Sequence, residues 1–303
     1  MRKVYTLGET VYDIIFKEKS VSSGGAGGAT LNSAVSLGRM NKPVYFLGEY
    51  GNDLLGSAVD EFLRNNGVNT SYVYRYGDGN TAVAIAFLDQ DSNASYDFYK
   101  RPPSERMKGV KPEFTGEDIL LFGSFFAIDP NLRETVVSLV SSARRAGALV
   151  VYDPNFRLAH KDELESIRPY MLENFGMADI IRGSNEDFMH IFGVDSVDSA
   201  ADVLKPYSDC LFYSSSREGV YMRTPSFSGM MPSAKINPVS TVGAGDTLNA
   251  GIIYGLLEQN VYKKDLMSIK PETWQRIASI GISMATEVCL SYENYVPKGF
   301  QVC

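Results

Sequence analysis

Short apolar runs rich in β-branched residues recur along the chain, and most of them are followed by a stretch with helical periodicity. Such runs predict strands that are buried on both faces of a sheet. The predicted strands are Val4–Leu7, Val44–Gly48, Asp118–Phe122, Leu149–Tyr152, Asp179–Ile181 and Leu211–Tyr213. The predicted helices are Thr30–Arg39, Leu55–Asn65, Leu132–Arg145, Leu164–Phe175, Glu186–Phe192, Thr247–Glu258 and Pro271–Leu290. This alternation predicts a mostly parallel sheet with helices on both faces, in a single α/β domain that spans residues 1–303.

One part of the chain departs from this alternation, because its strand-like runs have no helix between them. These runs are Tyr72–Tyr76, Thr81–Asp89 and Ser95–Lys100, and Val11–Phe16 is a candidate further strand. Turn-forming residues at 77–80 and 89–93 separate the later runs. We therefore expect a small antiparallel sheet, with strands within about residues 10–18 and 72–101, that covers a site or forms a subunit contact. The alternative is an extra hairpin on the main sheet.

Composition and charge narrow the class of protein. The formal net charge of the 303 residues is -7, and no basic stripe of the kind that binds nucleic acid occurs. Cys210, Cys289 and Cys303 lack metal-binding spacing, and His160 and His190 are the only histidines, which argues against a zinc site or a histidine triad. The N-terminus has no signal-peptide core, and no apolar run approaches a membrane span. We expect a cytoplasmic protein with free thiols.

The clearest chemical signal is the run Ser240-Thr241-Val242-Gly243-Ala244-Gly245-Asp246, which precedes a predicted helix. A helix begins with unpaired N–H groups and the positive end of its dipole, and glycines let an anion approach them. Gly243, Ala244 and Gly245 are therefore a candidate anion hole for a transferring phosphoryl group, with Asp246 as the general base. The alternative is that Asp246 is a helix N-cap and the glycines form a tight turn. No P-loop and no protein-kinase HRD or DFG motif occurs.

A second glycine cluster, Gly24-Gly25-Ala26-Gly27-Gly28-Ala29-Thr30-Leu31-Asn32, opens an earlier predicted helix, and a G-x-x-G-x-D-x-x-G segment follows at Gly48–Gly56. The central strand at Leu149 is followed by Asp153-Pro154-Asn155-Phe156-Arg157. Together with the later Gly-Ala-Gly-Asp segment, this order of motifs resembles the ribokinase-like carbohydrate kinases, also called the PfkB family. Ser95–Arg101 resembles a lid strand of the fructokinase-like and 2-keto-3-deoxygluconate-kinase-like members. The resemblance covers nearly the whole chain.

This resemblance implies a ribokinase-like three-layer α/β/α sandwich with a mostly parallel central sheet and a small β-sheet lid. It implies transfer of a phosphoryl group from ATP, with Mg²⁺, to a hydroxyl of a small sugar, and it favours fructose or a related ketose or keto-sugar acid. Nucleic-acid and membrane partners are not expected, and a homodimer through the lid would cover its open edges. The alternatives are a nucleoside kinase of the same fold and a catalytically weak sugar-binding or sensing relative.

On the sugar side, the resemblance implies that Asp13 on the first lid strand holds substrate hydroxyls. Gly27, Gly28 and Asn32 would close on the sugar from the start of the helix. Carboxylate and amide groups suit this role because they form paired hydrogen bonds with neighbouring hydroxyls. The alternatives are a solvated strand carboxylate for Asp13 and a helix-cap residue for Asn32.

Basic residues complete the implied sugar side. Lys100 and Arg101 both occupy the place where the family carries one basic lid residue, and the sequence does not choose between them. Arg157 would contact the substrate or a phosphoryl oxygen, and its alternative is a surface ion pair.

On the nucleotide side, several positions depart from the family pattern. The implied nucleotide-binding residues are Ser184, Asp187, Ser214, Ser216, Gly219 and Ser279. Asp187 replaces the glutamate of an N-x-x-E motif and is the candidate magnesium ligand, with Glu186 as the alternative carboxylate. Ser216 has a side chain where the family brings bare backbone to the nucleotide. Ser240 replaces an aspartate, which weakens the case for activation by potassium or sodium. These departures favour altered nucleotide affinity or reduced catalysis.

Overall fold

The computed structural model describes residues 2–17, 20–88, 94–216 and 218–302. Its strands are β1 (Val4–Leu7), β2 (Val11–Lys17), β3 (Ser20–Gly27), β4 (Val44–Leu47), β5 (Glu49–Gly51), β6 (Val68–Asn69), β7 (Tyr74–Tyr76), β8 (Asn80–Leu88), β9 (Ala94–Arg101), β10 (Ile119–Gly123), β11 (Leu149–Asp153), β12 (Ile180–Ser184), β13 (Leu211–Ser215), β14 (Gly219–Arg223) and β15 (Ser228–Pro232). Its helices are α1 (Ala29–Arg39), α2 (Leu54–Asn65), α3 (Arg133–Arg145), α4 (Leu164–Met177), α5 (Asn185–Phe192), α6 (Val197–Leu204), α7 (Ala244–Glu258) and α8 (Pro271–Cys289). None of the helices in these ranges combines the length and the apolar character needed to cross a bilayer.

The predicted buried strands all lie in one nine-stranded sheet, in the order β15-β14-β13-β12-β11-β10-β1-β4-β6. The pairs from β13 to β6 are parallel, whereas β14 and β15 are added antiparallel at one edge. Because the parallel strands share one direction, their carboxyl ends meet along one edge of the sheet, where loops and helix starts can form a site. The expectation of a mostly parallel central sheet is confirmed.

The two faces of this sheet are covered by different helices, which gives three layers. Along β11, Leu149 and Val151 face one hydrophobic core, and Val150 and Tyr152 face the other. The first core takes side chains from α1, α2, α7 and α8, and the second takes them from α3, α4, α5 and α6. The strands are apolar at successive positions because both of their faces are buried.

The smaller sheet has four strands in the order β3-β2-β8-β9 and is separate from the central sheet, so the hairpin alternative is wrong. Its pairing also corrects the expected antiparallel pattern, because β2 and β8 run parallel. The chain leaves β2 and β3, passes through α1 and α2, and re-enters the small sheet in the same direction as β2. The turn expected at 89–93 lies outside the described residues.

Two segments near the small sheet were predicted wrongly. Tyr72–Tyr76 contributes β7, which pairs with β5 in a two-stranded sheet instead of joining the small sheet. The glycine run at Gly24–Gly27 is part of β3, an edge strand, and not the opening of α1. The glycines in this strand lie opposite the bulkier side chains of β2, with Gly25 across from Asp13. A run of small residues carries no apolar alternation, so the pattern gave no strand signal.

We predict that Gly251→Ala lowers the free energy of unfolding by about 1–3 kcal/mol, because overpacking a tight helix contact is costly. At the crossing of α7 and α8, an added Cβ on Gly251 would lie 2.5 Å from Cα of Gly281. The matched control is Gly77→Ala, where an added Cβ would meet no atom within 4 Å. Urea unfolding of both variants measures the difference. Equal stabilities would contradict the packing argument.

Candidate active site

Two distant segments of the chain meet at the start of α7. The side-chain amide of Asn32 in α1 donates a hydrogen bond of 2.9 Å to Oδ2 of Asp246. The hydroxyl of Ser33 donates a hydrogen bond of 2.7 Å to the backbone oxygen of the same residue. These contacts join residues that are separated by more than two hundred positions in the sequence. The early glycine-rich motif and the late Gly-Ala-Gly-Asp motif are therefore parts of one site.

The first turn of α7 has the geometry of an anion-binding helix start. Gly243 is its N-cap, with a φ of 79° that favours glycine, and the helix begins at Ala244 rather than at the predicted Thr247. The N–H groups of Gly245 and Asp246 donate no hydrogen bond within the described part of the chain. They are therefore free to bind an anion at the positive end of the helix dipole. The N-cap alternative for Asp246 is wrong, because Gly243 fills that position.

The carboxyl group of Asp246 is buried, with 7% of the residue exposed. Burial raises its pKa to about 6, against the hydrogen bond from Asn32 and the charges of Arg157 and Arg182, which lower the pKa. The nearby Asp153 raises the pKa further. Arg157 itself is exposed and forms no ion pair within the described ranges, so the predicted surface ion pair is not found there. A carboxylate with this pKa can accept a proton at neutral pH and release it again.

Three polar residues to which the motifs assigned no role lie directly beside this turn. Arg182 of β12 forms a buried ion pair of 2.8 Å with Oδ2 of Asp153, the last residue of β11. Asn249 of α7 donates a hydrogen bond of 2.6 Å to the same oxygen. A charged residue directly after the apolar strand residues Ile180 and Ile181 was the available signal. It was missed because the predicted strand ended before Arg182.

On the side of the small sheet, the carboxylate of Asp13 lies against the bare Cα of Gly27, and an added Cβ there would overlap Oδ2. Burial raises the pKa of Asp13 to about 6, which does not fit the alternative of a freely solvated strand carboxylate. Gly28 is the N-cap of α1, with a φ of 132° that a residue with a side chain rarely adopts. Asn32 lies inside α1 and is 5% exposed, so the helix-cap alternative for it is wrong.

The two basic residues at the end of β9 lie on opposite faces of the small sheet. In the register of the sheet, Asp13 is opposite Ala84, and Ala84 is opposite Phe98. The ammonium group of Lys100 lies 4.6 Å from the centre of the Phe98 ring. Because side chains alternate along a strand, Lys100 shares the face that carries Asp13, and Arg101 points from the other face.

The serine and the aspartate expected on the nucleotide side form a helix cap. Ser184 is the N-cap of α5, and Oδ2 of Asp187 accepts hydrogen bonds of 2.6 Å from both the backbone N–H and the hydroxyl of Ser184. Oδ1 of Asp187 accepts a hydrogen bond of 2.7 Å from the N–H of Phe156. Glu186 is exposed, and the described residues contain no group of three or more acidic, histidine or cysteine side chains that could hold a metal ion. The two carboxylates form no dedicated cage for magnesium, and the role of Asp187 as its ligand stays a prediction.

The other expected nucleotide-side residues lie along β13, β14 and α8. The hydroxyl of Ser214 accepts a hydrogen bond of 2.9 Å from Arg182. Ser216 has a φ of 27°, and Gly219 has a φ of 139°, so the backbone at both positions adopts a conformation that favours glycine. Ser279 is half-buried in α8, and no hydrogen bond within the described ranges joins it to Asp246.

Comparison with known sequences places the chain among sugar kinases. Residues 1–267 match the profile of the family described as pfkB family carbohydrate kinase. Fructokinase-1 of Oryza sativa subsp. japonica is 28% identical over 269 residues, which covers 84% of this chain and 83% of that protein. Probable fructokinase-7 of Arabidopsis thaliana is 28% identical over 296 residues, covering 95% of this chain and 84% of the relative.

Solved structures of other kinases share the fold. Fructokinase from Vibrio cholerae O395, in its form with fructose, ADP and calcium ion bound, superposes with a TM-score of 0.82 at 19% identity. The superposition covers 97% of this chain and 94% of the fructokinase chain. Aminoimidazole riboside kinase from Salmonella enterica, complexed with aminoimidazole riboside and an ATP analogue, gives a TM-score of 0.80 at 19% identity, with coverage of 96% and 94%. At this level of identity the likeness establishes the ribokinase-like fold.

We predict that Asn32→Leu raises the pKa of Asp246 above about 6 by roughly one unit, because the lost N–H donor stabilises the ionised carboxylate. Carboxyl-carbon NMR titration measures this value, and Asp246→Asn assigns the resonance. Asp13 is the internal control, since burial also raises its pKa to about 6 and Asn32 is not among the causes of that shift. An unchanged titration of Asp246 would show that Asn32 does not hold the carboxylate.

Proposed function

Because this chain belongs to the pfkB family of carbohydrate kinases, we propose that it transfers the γ-phosphoryl group of ATP to a hydroxyl of a small sugar, with fructose favoured over related ketoses and keto-sugar acids. As a carbohydrate kinase it is a phosphotransferase with an alcohol group as acceptor. The observation that carries the proposed chemistry is the buried carboxylate of Asp246 beside two N–H groups with no partner in the described chain. The preference for fructose rests on the fructokinase relatives.

In the proposed reaction, the sugar hydroxyl approaches the γ-phosphorus while Asp246 accepts its proton. The new bond joins the sugar oxygen to phosphorus, and the bond from phosphorus to the bridging oxygen breaks, so that ADP leaves. The N–H groups of Gly245 and Asp246 stabilise the negative charge on the transferring group, and the helix dipole adds to this effect. Catalysis then depends mainly on position and fixed charge, which is typical of phosphoryl transfer.

The sugar is proposed to lie between the start of α1 and the small sheet, which would act as a lid. Asn32 donates one amide hydrogen to Asp246, and its buried Oδ1 has no hydrogen-bond partner within the described ranges. A buried acceptor without a partner is costly, and a substrate hydroxyl would satisfy it. Asp13 is proposed to accept further sugar hydroxyls from the lid, with Lys100 as the basic residue on the same face.

The nucleotide is proposed to lie along the ends of β12 and β13, where the expected serines lie. Support comes from Ser216, whose φ of 27° keeps the backbone geometry of a glycine despite its side chain. Mg²⁺ commonly enters such sites with the nucleotide, held by phosphate oxygens and water. The residues that the structure describes contain no group of three acidic, histidine or cysteine side chains for it, and no step of the proposed reaction depends on it.

A riboside is the second candidate substrate. It is favoured by the structural likeness to aminoimidazole riboside kinase of Salmonella enterica. Phe125, which follows β10 and stacks on His160 with ring centres 4.0 Å apart, would supply an aromatic wall for a base. A catalytically weak sugar sensor is less well supported, because the two features that an active kinase would need, Asp246 and the helix start, are both in place. Thermal-shift measurements with fructose and with ribosides separate the two substrate classes.

We predict that Asp246→Asn lowers kcat for the preferred sugar by about 10²–10⁴-fold, because the amide cannot accept the hydroxyl proton. The measurement is a coupled ADP-release assay across fructose, ribose, 2-keto-3-deoxygluconate and ribosides. In wild type, the acid limb of the pH profile should lie near pH 6, since Asp246 must be ionised and burial raises its pKa to about 6.

Asp198→Asn is the matched control, because Asp198 is exposed and its carboxylate pairs with Arg223 away from the site. Its kcat should equal that of wild type. Calorimetry should show that the Asp246→Asn protein still binds the sugar. Substantial turnover by this variant would contradict the role of Asp246 as the base, and wild-type protein that binds a sugar without turnover would favour the sensor alternative.

A homodimer through the small sheet is the proposed assembly. One face of this sheet carries the exposed Asp97 and otherwise apolar side chains that are at least partly exposed, and these are Tyr12, Ile14, Phe16, Val83, Ile85, Phe87 and Tyr99. Phe87 is 43% exposed and Tyr99 is 57% exposed, and Phe16 stacks on Phe87 at 5.1 Å. Among the described residues, no further strand of the small sheet pairs with the outer edges of β3 and β9. A second copy would cover both the edges and this apolar face.

We predict that Phe87→Asp converts the dimer into a monomer, because the charge would be buried in the apolar interface. Sedimentation velocity measures the change. Met267→Asp is the control, since Met267 is 67% exposed and belongs to neither sheet. A monomeric wild type, or a Phe87→Asp protein that remains dimeric, would exclude this interface.

A further inference from the structure

Arg182 is a charged residue in the middle of the protein, with 6% of its surface exposed. Its Nη1 forms an ion pair of 2.8 Å with Asp153, and its Nη2 donates a hydrogen bond of 2.9 Å to the hydroxyl of Ser214. Burying an arginine costs free energy that good pairing only partly recovers. A buried ion pair is therefore weak evidence for stability, and its position in the fold needs another reason.

The guanidinium group of Arg182 lies against the first turn of α7. A Cβ added to Gly245 would lie 3.1 Å from Nη1 and 3.2 Å from Nη2 of Arg182. Gly245 is not among the residues with a positive φ, so its backbone does not require glycine. The space at this position is limited instead by the arginine, whose guanidinium group would have to shift by a few tenths of an ångström to admit a Cβ. The small size of Gly245 and the position of the Arg182 guanidinium group therefore depend on each other.

A second route joins Arg182 to the same helix. Oδ2 of Asp153 accepts hydrogen bonds from both Arg182 and Asn249. Asn249 lies three residues after Asp246, so it shares one face of α7 with the carboxylate. The ends of β11 and β12 are thereby tied to α7 on the side where Asp246 is held by Asn32.

We propose that Arg182 is a positioning residue for phosphoryl transfer, which holds the first turn of α7 in place through Gly245 and through Asp153 and Asn249. It touches neither the sugar nor the phosphate in this role. It keeps the N–H groups of Gly245 and Asp246 and the carboxylate of Asp246 in one fixed arrangement. The activity tests of this inference rest on the proposed function, and a hydrogen-exchange test does not.

The charge of Arg182 also acts on the carboxylate that it positions. The groups that bear on the pKa of Asp246 are Asn32 from α1, Arg157 from the loop after β11, Asp153 from β11 and Arg182 from β12. Both cations lower the pKa of Asp246, Arg157 more than Arg182, and Arg182 is the one that is buried. Loss of Arg182 should therefore raise the pKa of Asp246 and move the acid limb of activity to higher pH.

The experiment compares Arg182→Met and Arg182→Lys with wild type in kcat, KM for the sugar and the pH profile. We expect Arg182→Met to lower kcat about 10²-fold with little change in KM, and to move the acid limb upward by about one pH unit. Arg182→Lys keeps the positive charge but loses the planar guanidinium group that donates to two partners. Its kcat should therefore fall less, and its acid limb should stay near pH 6. If Arg182→Met does not fold, the lysine variant still gives both readouts.

Arg133→Met is the matched control. Arg133 is 9% exposed and pairs with Glu173 and Asn174, away from α7. This variant should lose stability without a shift of the acid limb. A kcat for Arg182→Met within threefold of wild type, together with an unmoved acid limb, would overturn the proposal.

A double-mutant cycle tests the contact itself. Gly245→Ala should cost kcat more in wild type than in the Arg182→Lys background, where the lysine can move aside from the new Cβ. Additive losses would overturn the argument that Gly245 and Arg182 depend on each other. Hydrogen exchange gives a readout without activity, since Arg182→Met should speed exchange of the hydrogen-bonded amides of Ala244 and Thr247, and Arg133→Met should not. If wild type shows no turnover on any sugar, the proposed function fails, and this exchange comparison alone decides the role of Arg182.

Discussion

The site depends on keeping an ionisable carboxylate buried and correctly aimed at the start of α7. An isolated carboxylate in such a place would become neutral, because burial disfavours the charged form. Here the hydrogen bond from Asn32, the charges of Arg157 and Arg182 and the positive helix start oppose that effect, and the pKa of Asp246 is about 6. The packing of α1 against α7, from opposite ends of the chain, supplies the hydrogen bond from Asn32, and the two arginine charges come from the loop after β11 and from β12.

The central sheet could be predicted from the sequence because its strands are buried on both faces. Runs such as Val4–Leu7 and Leu149–Tyr152 have no polar side, and their lengths distinguish them from helices. The small sheet was predicted less well because some segments in and near it lack such an apolar pattern. The strand β3 is made largely of serine and glycine, so it has no apolar alternation, and β7 is short enough to pair with either sheet. Those pairings depend on which partner lies nearby in the fold.

Some residues of the site could be predicted from local motifs, and others are brought together only by the fold. Asp246 and its glycines were found because a local motif indicates a helix start, and Asn32 was found through the family resemblance; the structure brings Asn32 and Asp246 into contact. Arg182, Asp153 and Asn249 form one network through pairs that are 29 and 96 residues apart, and no local spacing announces such a network. For Asp187 the motif suggested a magnesium ligand, which stays a prediction, and the fold shows that its oxygens accept hydrogen bonds from Ser184 and Phe156. A motif indicates which residue types occur, and only the fold shows which lone pairs remain free.

We propose that the start of α7 receives the transferring phosphoryl group beside Asp246. A crystal structure of the protein with its sugar and a non-hydrolysable ATP analogue would test this placement. We expect γ-phosphate oxygens within about 3 Å of the N–H groups of Gly245 and Asp246, and the accepting hydroxyl at roughly 2.6–3.2 Å from the carboxylate of Asp246. A γ-phosphate bound away from this helix start, or a sugar whose hydroxyls all lie beyond hydrogen-bond reach of Asp246, would contradict it.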